Sequence, residues 1–230
     1  MTVTTERAPT GCGHIETGPG RPGTNPIGAV IERLQRVLDG APAEQPHRRF
    51  FTGTYLRTTR AVADAVHDAF FEDPDWVERW DVAFAELYLA AARDEATAAT
   101  PWRLAFDAPP GLPSLRHVLL GINAHINYDL PQALLQVIDD DDFGDPMVLA
   151  RRRRDHERID MILAARVKDE DGELGAHGIV DRLLTPLNRL GTKRFLREAR
   201  RKVWHNTEQL QLARTGGPRH YRRRPRSPTC

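Results

Sequence analysis

Cysteine is nearly absent from this 230-residue chain: Cys12 and Cys230 are the only two, and both lie in terminal segments without periodicity. A structural disulfide or a cysteine-rich metal site is therefore excluded as an organising feature, and a reducing, cytoplasmic setting is expected. Long apolar runs are missing too. No stretch reaches the length of a membrane span and the first thirty residues hold no signal-peptide core, so no membrane contact is expected. Lysine is confined to Lys168, Lys193 and Lys202, arginine supplies nearly all the positive charge, and the formal net charge is +1. That balance lacks the excess expected of a dedicated nucleic-acid binder, so nucleic acid is not an expected partner. Sustained strand alternation, hairpin turns and internal repeats are absent as well, which leaves an all-α chain.

What is present is helical periodicity between two aperiodic ends. Residues 1–24, rich in Gly, Thr and Pro, predict a disordered leader, and 214–230, with Arg222, Arg223, Arg224 and Arg226, a disordered basic tail. Between them, residues 25–213 read as one helical domain. Asn25-Pro26, Asp73-Pro74 and Asp145-Pro146 each pair a capping side chain with a proline suited to the first turn, and so mark helix starts. Apolar stripes follow: Ile27, Val30, Ile31 and Leu34; then Tyr55, Thr59, Val62, Val66 and Ala69; then Trp76, Trp80, Phe84, Leu87 and Ala91. Asp81 and Tyr88 fall at the margin of the third stripe, within reach of an interior polar site, with a solvated boundary position as the preferred reading. A short helix is expected from Thr100-Pro101 to Phe106, and a central one over 114–138. After Asp145-Pro146, Val148, Leu149, Ile159, Ile162 and Leu163 point inward, and Arg152, Asp155 and His156 share their stripe, where charge calls for partners. Ile179 to Leu190 forms a further segment interrupted at Pro186, and Thr192 caps a last helix on which Asn206 joins Phe195, Ala199, Val203, Leu210 and Ala213. The expected architecture is an irregular single-domain bundle of about seven helices around a buried, Pro-kinked central helix.

The central helix carries the chemistry. Gly121-Ile122-Asn123-Ala124-His125-Ile126-Asn127-Tyr128-Asp129-Leu130-Pro131 holds two asparagines, a histidine, a tyrosine and an aspartate with no Lys, Arg or Glu, and His117 precedes it. Such a helix is expected to be buried on every side, so its polar groups need partners. At about 100° per residue, His117, Gly121, His125 and Asp129 form one ridge. Asp129 stands four residues after His125, a spacing at which a carboxylate orients an imidazole, raises its basicity or shares a metal with it. Asn123 and Asn127 lie on another side, suited to tying neighbouring helices together. Pro131 cannot donate to the Asn127 carbonyl, which predicts a kink and a freed acceptor there.

Several chemistries can be weighed. A catalytic zinc ion needs three protein ligands, which His117, His125, Asp129 and Asp155 supply only if the fold brings them together, so a divalent metal is a candidate cofactor. The acidic run Asp139 to Asp142 with Gly144 superficially resembles a calcium loop, but its twelfth position is Ala150, and a solvated acidic turn is the better reading. A diiron centre would need inward Glu-x-x-His pairs, and the sole match, Glu44 to His47, falls in a connector. His67-Asp68 points away from the inward stripe of its helix and reads as a surface pair. Arg151 to Arg154 splay around a helix, mostly as solvated charges. No phosphate loop, nucleophile elbow or dinucleotide fingerprint is found.

The expected function is a small-molecule enzyme with a buried acid-base or metal-assisted site: His125 and Asp129 with Tyr128 at its centre, and His117, Asn123, Asn127, Arg152, Asp155 and Asn206 around them. Hydrolysis, or cyclisation or isomerisation in a secondary pathway, suits such a site. The alternative is a non-catalytic helical domain whose polar network fixes helix register while a ligand or protein binds elsewhere. The string Asn123-Ala-His-Ile-Asn-Tyr-Asp-Leu-Pro131 resembles the hallmark of an uncharacterised family common in actinobacteria, a domain of unknown function. The resemblance extends from about His47 to Leu210, through Trp76, Phe84, Tyr88, Trp102, Asp155 and the Arg197 to Trp204 segment. It implies a domain boundary and no particular activity.

Overall fold

The structure is a computed structural model and describes residues 25–42, 44–174 and 186–216. The expected leader, both cysteines, the arginine tail and the segment around Ile179 to Leu184 lie outside the described residues. Among those residues the chain is all-α, without strands. The helices are α1 (Pro26–Asp39), α2 (Pro46–His67), α3 (Pro74–Arg93), α4 (Thr100–Phe106), α5 (Ser114–Ala124), α6 (Leu130–Val137), α7 (Asp140–Gly144), α8 (Pro146–Leu174) and α9 (Pro186–Gly216). A π-helical turn, His125–Asp129, joins α5 to α6, and the three run as one rod over the central stretch.

The Asx-Pro starts behave as capping chemistry requires. Asn25 accepts from the Gly28 amide at 2.8 Å, Asp73 from the Trp76 amide at 3.0 Å, and Asp145 from the Met147 amide at 2.8 Å. Each satisfies one of the orphan donors of a first turn. Helix α2 stops two residues before Ala69, which adopts φ 52° and is exposed, so it does not extend the inward stripe as expected. The Phe70 amide reaches back to the Ala65 carbonyl at 3.0 Å, the bond that closes a left-handed helix end.

Two other expectations are corrected at the C-terminal side. The acidic run forms the short helix α7, because Asp140, Asp141 and Asp142 occupy its first turn, where the helix dipole favours negative charge. Helix α9 is continuous from Pro186 through Thr192; the proline sits at its start, where the missing N–H costs nothing. The buried face of α9 runs through Arg200, Val203, Trp204, Thr207 and Gln211, whereas Asn206 is exposed and Leu210 is 48% exposed. The inward stripe is thus displaced by about one residue from the apolar pattern, because three of its positions are polar groups with partners. Arg200 reaches Asp160, Thr207 the Val203 carbonyl, and Gln211 Asp140.

The apolar interior has two lobes. One gathers Trp76, Trp80, Phe84, Leu130, Leu134 and Trp204; the other gathers Val30, Leu34, Phe51, Tyr55, Tyr88 and Trp102. The central rod lies against both, packed on α2, α3, α4 and α9. It is not buried on every side. Asn123, Asn127 and Tyr128 are exposed, as is Leu119, so one face of the rod forms part of the surface.

Candidate functional site

The His125 ridge is the inward face of the rod. His117, Gly121, His125 and Asp129 are all buried, as their four-residue spacing requires. Gly121 explains how the ridge comes so close to α2: a Cβ built there would stand 2.6 Å from Cγ of Phe51. Only a residue without a side chain allows that approach.

Pro131 acts as a bulge rather than a sharp break. All residues around it keep right-handed helical dihedrals, and the Leu130 amide donates to the His125 carbonyl five residues back. The Gln132 side-chain amide meets the Tyr128 carbonyl at 2.8 Å. Such π-turns recur at functional sites because they re-aim side chains within a continuous helix. Here the turn coincides with the segment carrying both His125 and Asp129.

His125 Nδ1 lies 2.9 Å from Oδ2 of Asp129, and the same oxygen accepts from Trp102 Nε1–H at 2.9 Å. With Oδ2 as the shared acceptor, Nδ1 carries the imidazole proton and Nε2 keeps its lone pair. Nε2 is buried and has no hydrogen-bond partner among the described residues. Aromatic rings enclose the imidazole where the two lobes meet: Phe84 stacks on it with centroids 3.6 Å apart, and Tyr55 meets it edge-on at 4.4 Å. Phe51, Trp102 and Tyr88 stand 5.8, 5.9 and 6.1 Å away. Burial pushes the imidazole below its ordinary pKa, while the hydrogen bond and charge of Asp129 oppose that shift. His125 is therefore held in its neutral form with its ring orientation fixed inside an aromatic enclosure.

Sequence reasoning placed Asp81 and Tyr88 at a solvated boundary, yet both are buried. Burial, reinforced by the nearby charge of Glu78, raises the Asp81 carboxyl to about 7, and its Oδ2 has no partner among the described residues. Tyr88 bonds to the Thr52 hydroxyl, and its own pKa is pushed up to about 12 by burial. Tyr55 is held well above its ordinary value by burial and then by the charge of Asp81. The missed signal was positional: Asp81, Phe84 and Tyr88 stand three and four residues apart on one face of α3.

The other expected site residues are not brought to His125. Tyr128 is 41% exposed. Asn127 donates to Asn123 at 2.8 Å on the exposed face, so these two brace their own rod rather than neighbouring helices. Asp155 accepts the Glu72 and Asp73 amides, each at 2.8 Å, and Arg158 at 3.0 Å, which pins α8 to the α2–α3 corner. Arg152 pairs with Asp73 and Asp142 and lies over the Trp76 ring, so it is not a solvated charge. Among the described residues no group of three or more His, Cys, Asp or Glu side chains is placed to hold a metal ion. The expected ligand set of His117, His125, Asp129 and Asp155 is thus corrected, because Asp155 is committed to backbone amides elsewhere.

Fold and site together define an all-α helical domain with an aspartate-held histidine at a π-turn. The family model described as "Family of unknown function (DUF5995)" matches residues 27–227, and the chain belongs to that family. No curated protein and no solved structure matches it. Among the described residues no helix is long and apolar enough to cross a membrane.

Proposed function

We propose that this protein is a small-molecule enzyme that moves a proton on an apolar substrate, an isomerase or cyclase in reaction type, with Nε2 of His125 as the base. The observation that carries the reading is the division of labour on one ring: Asp129 takes Nδ1 and leaves Nε2 without a partner in an aromatic enclosure. Nε2 would accept a proton from a substrate carbon or oxygen while Asp129 stabilises the imidazolium, and would return it at a second atom. Net protonation is unchanged over the cycle. Trp102 holds the carboxylate in place, as orienting groups do behind catalytic histidines. The surrounding rings would favour an apolar substrate, and the Phe84 face stacked on the imidazole would help stabilise the positive charge that His125 gains on taking the proton. Hydrolysis is the weaker version, since it needs water in a site lined by Phe51, Phe84 and Trp102.

A second reading has a specific observation in its favour. His125 is only 3% exposed and stacked tightly on Phe84, and it lines neither the cleft beside Asp139 to Asp141 nor the one between α8 and α9. That suits a structural network fixing helix register. Proton exchange separates the two. The purified protein, incubated in deuterium oxide with a panel of apolar metabolites, is expected to put deuterium into at least one of them, and His125→Gln is expected to abolish this while keeping its helical circular dichroism. Incorporation at the same rate in wild type and variant would remove the catalytic reading. So would none with any compound alongside a large loss of stability in the variant.

A further inference from the structure

A second buried histidine lies where the structure also provides room. Helices α8 and α9 bound a cleft of about 450 Å³, within the range of small-ligand sites. His156, 1% exposed, lines it and is sandwiched between Trp80 and Trp204, with ring centroids at 5.3 and 5.2 Å. Its Nε2 is buried without a hydrogen-bond partner among the described residues. Behind it Arg200, 2% exposed, is fixed by Asp160 at 2.8 Å and by the His156 carbonyl, and lies over the Trp80 ring.

The lining has a marked charge pattern. It carries four guanidinium groups, Arg153, Arg197, Arg200 and Arg201, against two carboxylates, Glu157 and Asp160. Arg200 is neutralised by Asp160, and Arg153 pairs with Glu157 at 3.0 Å. Arg197 is exposed and makes no ion pair among the described residues, and Arg201 makes only a short-range surface pair with Glu198. Positive charge is therefore available at the mouth, where guanidinium forks suit a carboxylate or phosphate. Trp204, Met161 and Ala164 give the same cleft an apolar wall. A bare inorganic anion would leave that wall unused, whereas a flat apolar body with one anionic end would use both.

We propose that this cleft binds a small aromatic carboxylate, its anionic end at Arg197 and Arg201, its ring on Trp204, and a polar substituent or the inner carboxylate oxygen against Nε2 of His156. This site is separate from His125 and does not rest on the activity assigned there.

The test is calorimetric titration of the full chain with benzoate, indole-3-acetate and inorganic phosphate. At least one aromatic carboxylate should bind saturably, about tenfold or more tightly than phosphate. Arg197→Ala should weaken that binding about tenfold, and Ala164→Trp, which fills the cleft, should abolish it. Arg103→Ala, on the distant helix α4, should leave it unchanged, and all variants should keep the wild-type melting temperature in the absence of ligand. In nitrogen NMR the His156 ring resonances should move with the ligand while those of His125 stay fixed. Three results would each overturn the proposal: no saturable binding of either carboxylate at millimolar concentration, phosphate binding as tightly as they do, or full affinity retained in a folded Ala164→Trp protein.

Discussion

His125 and His156 are alike in three respects and opposite in a fourth. Both are almost fully buried, both pack against aromatic rings, and both leave Nε2 without a hydrogen-bond partner among the described residues. Their charged neighbours differ. A carboxylate holds His125, whereas His156 lies among the guanidinium groups of Arg200 and Arg153, which add to burial in pushing its pKa well down. A carboxylate behind an imidazole makes a base, since it stabilises the protonated ring; arginines beside one disfavour protonation and leave a neutral hydrogen-bonding group facing whatever the arginines attract. Packing follows the same division. The ridge bearing His125 is so close to α2 that only glycine fits at 121, while His156 lines an open cleft.

The largest expected effect comes from removing the carboxylate. Asp129→Ala leaves the Trp102 N–H and His125 Nδ1–H without their acceptor in a dry interior, and should cost about 4 kcal/mol in denaturant unfolding. Asp160→Ala at the other histidine should cost about 1–2 kcal/mol, because Asp160 is half-buried and Arg200 keeps its bond to the His156 carbonyl. Equal losses would mean that the two regions are not distinguished by their charge partners. Next in size is overpacking. Gly121→Ala should destabilise by about 3 kcal/mol through the collision with Phe51, while Ala164→Leu, which extends into the cleft, should cost less than about 1 kcal/mol. A Gly121→Ala protein as stable as wild type would show that α2 and α5 separate easily, and the enclosure of His125 would lose its rigidity.

The first of these regions was legible in the sequence; of the second only the inward position of His156 was. His125 and Asp129 are four residues apart, a relation that any helix preserves, so their pairing could be read without knowing the fold. Trp102 and Phe84 could not be placed beside them, since they arrive from α4 and α3 through long-range packing. Its apolar neighbourhood points Tyr128 inward, but an outward face of the rod accommodates it together with Asn123 and Asn127. The helix starts at Asn25, Asp73 and Asp145 were legible because capping is local chemistry. The cleft was not, because α9 lines it with Arg197, Arg200, Arg201 and Trp204, where a hydrophobic pattern would demand aliphatic residues. Arg152 and Asp155 were correctly seen to need partners, and found them at the α2–α3 corner instead of at the central rod.

Titration provides the next prediction, and the sign differs between the carboxyl and the imidazoles. Asp81 in the folded protein titrates at about 7 against an ordinary 3.8, so between those values the folded state holds a proton that the unfolded chain releases. Its contribution is complete below about pH 4 and is lost as pH rises through 7. His125 and His156 lie below their ordinary 6.5, so the unfolded chain binds the extra proton and stability falls as pH drops below that value. Asp81→Asn should therefore raise stability above pH 7 and leave it nearly unchanged in acid. The gain should be about 1–2 kcal/mol, because asparagine still buries a polar group. Thermal unfolding over a pH series reads this directly. A gain of the same size in acid would mean that Asp81 ionisation is not its source.

The smallest expected effect lies at the corner that links the two regions. Helix α2, which carries Phe51 and Tyr55 to His125, ends at His67, and Asp155 ties α8, which carries His156, to the amides of Glu72 and Asp73 just beyond. Ala69 turns that corner at φ 52°, a conformation in which its Cβ crowds the backbone and which glycine adopts without strain. Ala69 is exposed, so the methyl group contributes little packing that would be lost on its removal. Ala69→Gly relieves the strain but adds conformational freedom to the unfolded chain, and the difference should favour the folded state by about 0.5–1 kcal/mol. Because the corner touches neither imidazole, the substitution should raise the melting temperature while leaving the ring resonances of His125 and His156 in place. If either histidine's resonances moved with this remote change, the two regions would have to be treated as coupled through the α2–α3 corner rather than as independent sites.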